Sequence, residues 1–231
     1  MDQVNMATNI KLTASDGHQP GAYHAAPGVP AQAAIVVIQE IFGVNGHIRS
    51  VADDFAQEGF HAIAPALFDR VERDVELGYN QQDMQRGMAM AMKIGMDNAL
   101  KDVAAAMDYA RAELGCAKAG VVGYCFGGSL AWLSATRLGP AAAVGYYGGR
   151  IAQYAAERPL CPVMLHFGAL DQHIPLSEID KIRAQHPELP VYMYRAGHGF
   201  NCDQRKDYDP ESAKLARQRT LAFLRKYLFV M

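Results

Sequence analysis

The sequence predicts an α/β fold in which a mostly parallel central sheet carries helices on both faces. Short apolar runs of strand length, rich in β-branched residues, recur along the chain, and longer segments with apolar residues at helical spacing lie between them. A strand covered on both faces spells a continuous apolar run, whereas a half-exposed strand alternates, so these runs select a parallel sheet. No repeat or low-complexity segment interrupts the series, and 231 residues, 50% of them hydrophobic, suffice for a substantial core. The expectation is one domain, residues 1–231, with no separate cap domain.

The strands are AAIVVIQ (33–39), HAIAPAL (61–67), AGVVGY (119–124), AAAVGYY (141–147), CPVMLHF (161–167) and PVYMYR (190–195). After the second of them, QQDMQRGMAMAMKIGM predicts a short helix that stops before Gly95. Met84, Met88, Met92 and Met96 recur there every fourth residue, which reads as a core-facing stripe or as a flexible lining for an apolar substrate group. DNALKDVAAAMDYARAEL (97–114) predicts a helix with Leu100, Val103, Ala104, Met107, Ala110 and Leu114 on one face, Asp97 as cap and Gly115 as stop. SLAWLSATRL follows the third strand as a helix, and the last helix opens with Asp209 as cap and Pro210 in its first turn.

Charge and cysteine usage narrow the function. A net charge of −2, with no Lys/Arg cluster interleaved with aromatics, argues against a nucleic-acid partner. No apolar run reaches the roughly 18 residues of a membrane span, and MDQVNMATNIKLTASDG lacks the form of a leader, so a soluble, cytoplasmic protein is expected, as a monomer or small homo-oligomer. The four cysteines, 116, 125, 161 and 202, show neither C-x-x-C nor paired metal-ligand spacing and are expected to be reduced.

In GVVGYCFGGSLAW (120–132), a strand runs into a cysteine framed by Gly123 and Gly127 and then into a helix. G-x-S-x-G is the spelling of a nucleophile elbow, and cysteine in place of serine keeps the geometry with a softer, more acidic nucleophile. A small buried thiol in a glycine-rich turn would be spelled the same way. Partners decide between the two. Asp171 follows the strand CPVMLHF in GALDQHIP, and His198 follows PVYMYR between two glycines in AGHGF. Nucleophile, acid and histidine at successive strand ends, in that order, predict the triad Cys125, Asp171, His198.

With QEIFGVN (39–45), GYCFGG (123–128), AVGYYG (143–148), GALDQHIP (168–175) and AGHGF (196–200) in order, the chain resembles the dienelactone hydrolases, or carboxymethylenebutenolidases, from about residue 30 to about 228. The resemblance implies the α/β-hydrolase fold and hydrolysis of a small-molecule ester or lactone without metal or organic cofactor. It also implies that Glu40 helps take the thiol proton as substrate binds. By residue chemistry alone, a carboxylate at the end of an apolar strand must be paired or functional. The oxyanion hole is expected from the backbone N–H groups of Ile41 and Phe126. Family arginines grip a substrate carboxylate, one of them four residues after the histidine. Here that position is Cys202, which leaves Arg86 and Arg205 as the candidates, the latter only if its loop bends back. Phe42 and Tyr147 are candidate pocket walls. A cysteine on a strand-to-helix turn beside a glutamate also serves redox-sensing and glyoxal-removing proteins, the alternative reading.

Overall fold

A computed structural model describes residues 6–229. Val230 and Met231, at the end of the LFVM terminus, lie outside the described residues. Two compact units divide within one strand, Met1–Val121 and Val122–Met231.

The first unit holds β1 (Met6–Lys11), β2 (Gly21–Ala26), β3 (Ala33–Ile38), β4 (His61–Pro65) and the start of β5 (Lys118–Tyr124), in the order β1-β2-β4-β3-β5. β3 and β4 pair in parallel, with Ile35 opposite Ala62, and every residue of β3 is buried, as its unbroken apolar spelling requires. β1 and β2, which the apolar-run criterion does not identify, pair antiparallel at the sheet margin, with Ala7 opposite Ala25. Helix α1 (Gly46–Gln57) starts at Asn45, whose side chain accepts from the Ile48 N–H, and buries Ile48, Val51, Ala52 and Phe55.

Helix α2 (Gln81–Ala112) breaks at Gly95, where φ is 70° and ψ 166°, so it comprises the two helical segments that the sequence predicts. Leu100, Val103, Met107 and Ala110 are buried on the expected face, with Ala104 and Leu114 half-buried. Of the two readings of the methionine stripe, the core-facing one fails at its middle, although Met96 is buried. Met88 and Met92 are 51% and 70% exposed, and the buried face is Gly87, Met90, Ala91 and Ile94. Steps of four residues drift by about 40° per turn on a 3.6-residue helix, so a strict period of four slides off the core face. Asp102 is a buried carboxylate within that face, held by Arg70 through contacts of 2.7 and 2.8 Å. Burial pushes its carboxyl up, and the guanidinium opposes the shift.

The second unit takes the remainder of β5, then β6 (Ala143–Tyr146), β7 (Val163–Gly168) and β8 (Val191–Tyr194), in the order β5-β6-β7-β8. β6 pairs with β7, and β7 with β8, all parallel. Helix α3 (Phe126–Arg137) is buried from Phe126 through Ala135, and α4 (Leu176–Gln185) buries only Ile179 and Ile182. Helix α5 (Pro210–Leu228) is capped by Asp209, which accepts from the Ser212 N–H at 2.8 Å. It buries Ala213, Ala216, Thr220, Leu224 and Leu228. Thr220 is polar because it serves a buried network. His166 of β7 lies 2.8 Å from the Tyr194 hydroxyl and 3.1 Å from the Thr220 hydroxyl, and burial holds its imidazole down to about 3.

Candidate active site

Cys125 stands between β5 and α3 with φ 54° and ψ −110°. That half of φ space is rare for any residue with a side chain and costs on the order of 1–3 kcal/mol. Two features hold the strain. The Cys125 N–H donates to the Tyr146 carbonyl at 3.0 Å, and the end of β5 closes onto the first turn of α3. A Cβ on Gly123 would lie 1.9 Å from the Gly127 carbonyl oxygen, so only glycine permits that closure. The thiol thus sits at the N-terminus of a 12-residue helix, where negative charge is favoured and the first N–H groups lack helical partners.

His198 and Asp171 belong to the same unit and meet this thiol. His198 Nε2 is 3.2 Å from Cys125 Sγ, and its Nδ1 is 2.7 Å from Asp171 Oδ2. The other carboxylate oxygen, Oδ1, accepts the backbone N–H groups of His173 at 2.7 Å and Ile174 at 3.3 Å. Burial pushes the Asp171 carboxyl up, but the His198 hydrogen bond and charge, with the His173 N–H, bring it below its ordinary value. Burial likewise pushes His198 down. The adjacent Cys125 sulfur and the Asp171 carboxylate outweigh it and raise the imidazole to about 10. Elsewhere, burial alone pushes the thiols of Cys116 and Cys161 up to about 11.

The remaining candidates are distributed as follows. Phe126, 8% exposed, is the first residue of α3, so its N–H is at the elbow. Glu40, just beyond β3, is 1% exposed, and a ring nitrogen of buried His47 comes within 4.8 Å of its carboxylate. Ile41 is half-buried, and Phe42, 1% exposed, packs edge-on against Tyr79 at 4.6 Å. Arg86 lies on the surface of α2, 2.7 Å from Glu72. Tyr147, at φ 39°, is fully buried, its ring 5.1 Å from that of His198 and 5.4 Å from that of Phe200. Arg205 does bend back. Its guanidinium lies over Gly199, with Nη1 2.6 Å from where a Cβ of that residue would be.

Sequence reasoning missed His173. Its ring stands perpendicular to the His198 ring, 5.2 Å between centroids and 82° between planes. Nothing in the Asp-Gln-His spelling marks this contact, which depends on the turn that Asp171 Oδ1 closes onto the 173 and 174 N–H groups.

Chemically, a thiol, a base and an orienting acid in one hydrogen-bonded line, at a helix N-terminus, can attack a carbonyl and shuttle protons. The Dienelactone hydrolase family matches residues 21–228. The carboxymethylenebutenolidase of Pseudomonas putida is 33% identical over 228 residues, covering 95% of this chain and 96% of that protein. Carboxymethylenebutenolidase 1 of Cupriavidus pinatubonensis is 29% identical over 227 residues, covering 95% and 97%. A crystal structure of a Klebsiella pneumoniae protein assigned to dienelactone hydrolase superposes with a TM-score of 0.82 at 29% identity, covering 96% of this chain and 100% of that chain. Among the described residues, no helix is long and apolar enough to cross a membrane.

Proposed function

Because this chain belongs to the dienelactone hydrolase family, we propose that it hydrolyses small-molecule esters or lactones through a Cys125 thioester. The observation that carries this reading is the line Asp171–His198–Cys125, with contacts of 2.7 and 3.2 Å. Family membership likewise favours the hydrolase over the redox-sensing or glyoxal-removing alternative.

In the proposed cycle Cys125 passes its thiol proton to His198 Nε2, the thiolate attacks the carbonyl carbon, and the negative oxygen is met by the N–H groups of Phe126 and Ile41. As the C–O bond breaks, the protonated His198 gives its Nε2 proton to the leaving oxygen, and an alcohol or enol departs. His198, now neutral and oriented by Asp171, takes a proton from water, whose oxygen attacks the thioester. The C–S bond then breaks, the acid leaves and the thiolate returns to its imidazolium partner.

Glu40 is proposed to assist passage of the thiol proton to His198 when substrate is present. Under that proposal Glu40→Gln removes a negative charge and a base together. Alkylation of the resting enzyme by iodoacetamide is expected to hold steady or quicken near neutral pH, while ester hydrolysis falls by about 10². Unchanged hydrolysis in Glu40→Gln would reduce this carboxylate to a structural role.

Arg205 is proposed as the contact for a substrate carboxylate, because its guanidinium returns over Gly199, the residue after His198. Arg86 is engaged by Glu72 and is left out. With Cys202 at the position of the family arginine, one charge-assisted contact in place of two gives a small preference, under about tenfold, for a carboxylate-bearing lactone over its neutral analogue. Arg205→Ala is expected to lower the preference in kcat/KM by about threefold. A thousandfold preference in the wild type, or one unchanged in Arg205→Ala, would contradict the assignment.

A further inference from the structure

We propose that His173 selects the leaving-group side of the substrate, favouring esters whose departing alcohol or enol bears an anionic or strongly accepting group. The inference rests on the proposed role of His198 as proton donor to the leaving oxygen.

The Asp171 carboxylate carries two loops: Oδ2 holds the His198 ring, and Oδ1 holds the backbone N–H groups of His173 and Ile174. The turn that orients the triad histidine therefore also fixes where residue 173 stands. With centroids 5.2 Å apart and planes at 82°, the edge of one imidazole meets the face of the other. His198 is nearly buried, its side chain 11% exposed, and Tyr147, another close aromatic neighbour, is wholly buried. His173 is exposed. It is thus a solvent-side contact of the triad imidazole, and it brings hydrogen-bonding nitrogens rather than an apolar wall.

Which part of a substrate would meet it follows from the chemistry. An ester bound for attack by Cys125 Sγ must place its leaving oxygen within hydrogen-bond reach of His198 Nε2, because that nitrogen delivers the proton. Atoms attached to the leaving oxygen then lie around the His198 ring, which His173 borders. The acyl chain extends from the carbonyl carbon in the other direction. An imidazole beside the departing group can donate to an acceptor on it, most strongly when that acceptor is a carboxylate.

The test compares esters whose leaving groups have matched acidity. Phenyl acetate and 3-carboxyphenyl acetate differ by an anionic group on the leaving side, and phenyl butyrate and phenyl monosuccinate by one on the acyl side. In His173→Phe, which keeps an aromatic ring against His198, the kcat/KM ratio of 3-carboxyphenyl acetate to phenyl acetate is expected to fall by about threefold or more from its wild-type value. The ratio of monosuccinate to butyrate should keep its wild-type value. An unmoved leaving-group ratio, or a change confined to the acyl-side ratio, would overturn the proposal. A uniform loss on all four esters, with both ratios kept, would also overturn it, as residue 173 would then only brace the Asp171 turn. Cys125→Ala in the same assay separates the two readings. Turnover surviving there removes the triad whatever happens at residue 173, whereas an unmoved ratio with an intact triad removes His173 alone.

Discussion

Cys125→Ala is expected to reduce ester and lactone hydrolysis to background. Nucleophile, base and acid act as a unit, and losing the nucleophile of such a unit costs on the order of 10⁶ in kcat. Cys116→Ala and Cys161→Ala should keep nearly wild-type rates, because burial raises both thiols to about 11 and neither stands at the elbow. Rates with a chromogenic ester for the three variants, each checked for folding by circular dichroism, test this. Most of the turnover surviving in Cys125→Ala would remove the elbow assignment.

Asp171→Asn should lower kcat by about 10⁴, since an amide can offer its N–H to His198 Nδ1 and so favour the tautomer that cannot take the thiol proton. The same substitution alters stability in a definite pH window. His198 has a folded pKa of about 10 against an ordinary 6.5, with the Asp171 hydrogen bond among the causes. A group whose pKa is raised on folding contributes stability that is present in full below its unfolded pKa and lost as pH climbs through its folded one. Urea midpoints of wild type and Asp171→Asn should therefore differ most below about pH 6.5 and converge toward pH 10. Parallel curves across that range would mean that Asp171 does not raise the His198 pKa.

What the sequence disclosed about the fold follows from burial. β3, β5, β6 and β7 are covered on both faces, and their apolar spelling, interrupted only by Lys118 at the start of β5 and His166 within β7, is a direct record of that. β1 is exposed at most of its described positions and spells an ordinary polar segment, so a search for continuous runs passes over it. α4 buries only Ile179 and Ile182, too few to mark a face. α2 was legible to its break, because Gly95 at φ 70° is a residue whose identity announces its conformation. Its methionine spacing left the core-facing reading open, because spacing shows that residues share a stripe and not which neighbour, core or solvent, that stripe meets.

Within the candidate site, the line of three was legible because each member stands where a strand ends and a glycine turn begins. Chain order then fixed the roles. The surroundings were not legible. Arg205 comes back over Gly199 only because the chain turns through a φ of +80° there, and His173 reaches His198 only because Asp171 spends its second oxygen on the 173 and 174 backbone. Tyr147, expected as a pocket wall, is instead wholly buried against the triad imidazole, at a strained φ of 39° that a tyrosine in a strand-like run gives no hint of.

The central claim is that hydrolysis passes through an acyl group on Cys125. Rapid acid quench of the enzyme during turnover of 4-nitrophenyl acetate, followed by mass spectrometry of its peptides, reads this directly. His198→Ala serves as a second sample, in which deacylation should be slowed further. The account predicts the mass of one acetyl group on the peptide carrying Cys125, accumulating in His198→Ala and absent from Cys125→Ala. Steady turnover with no acetyl on that peptide in either sample, or an acetyl group found only elsewhere, would contradict it.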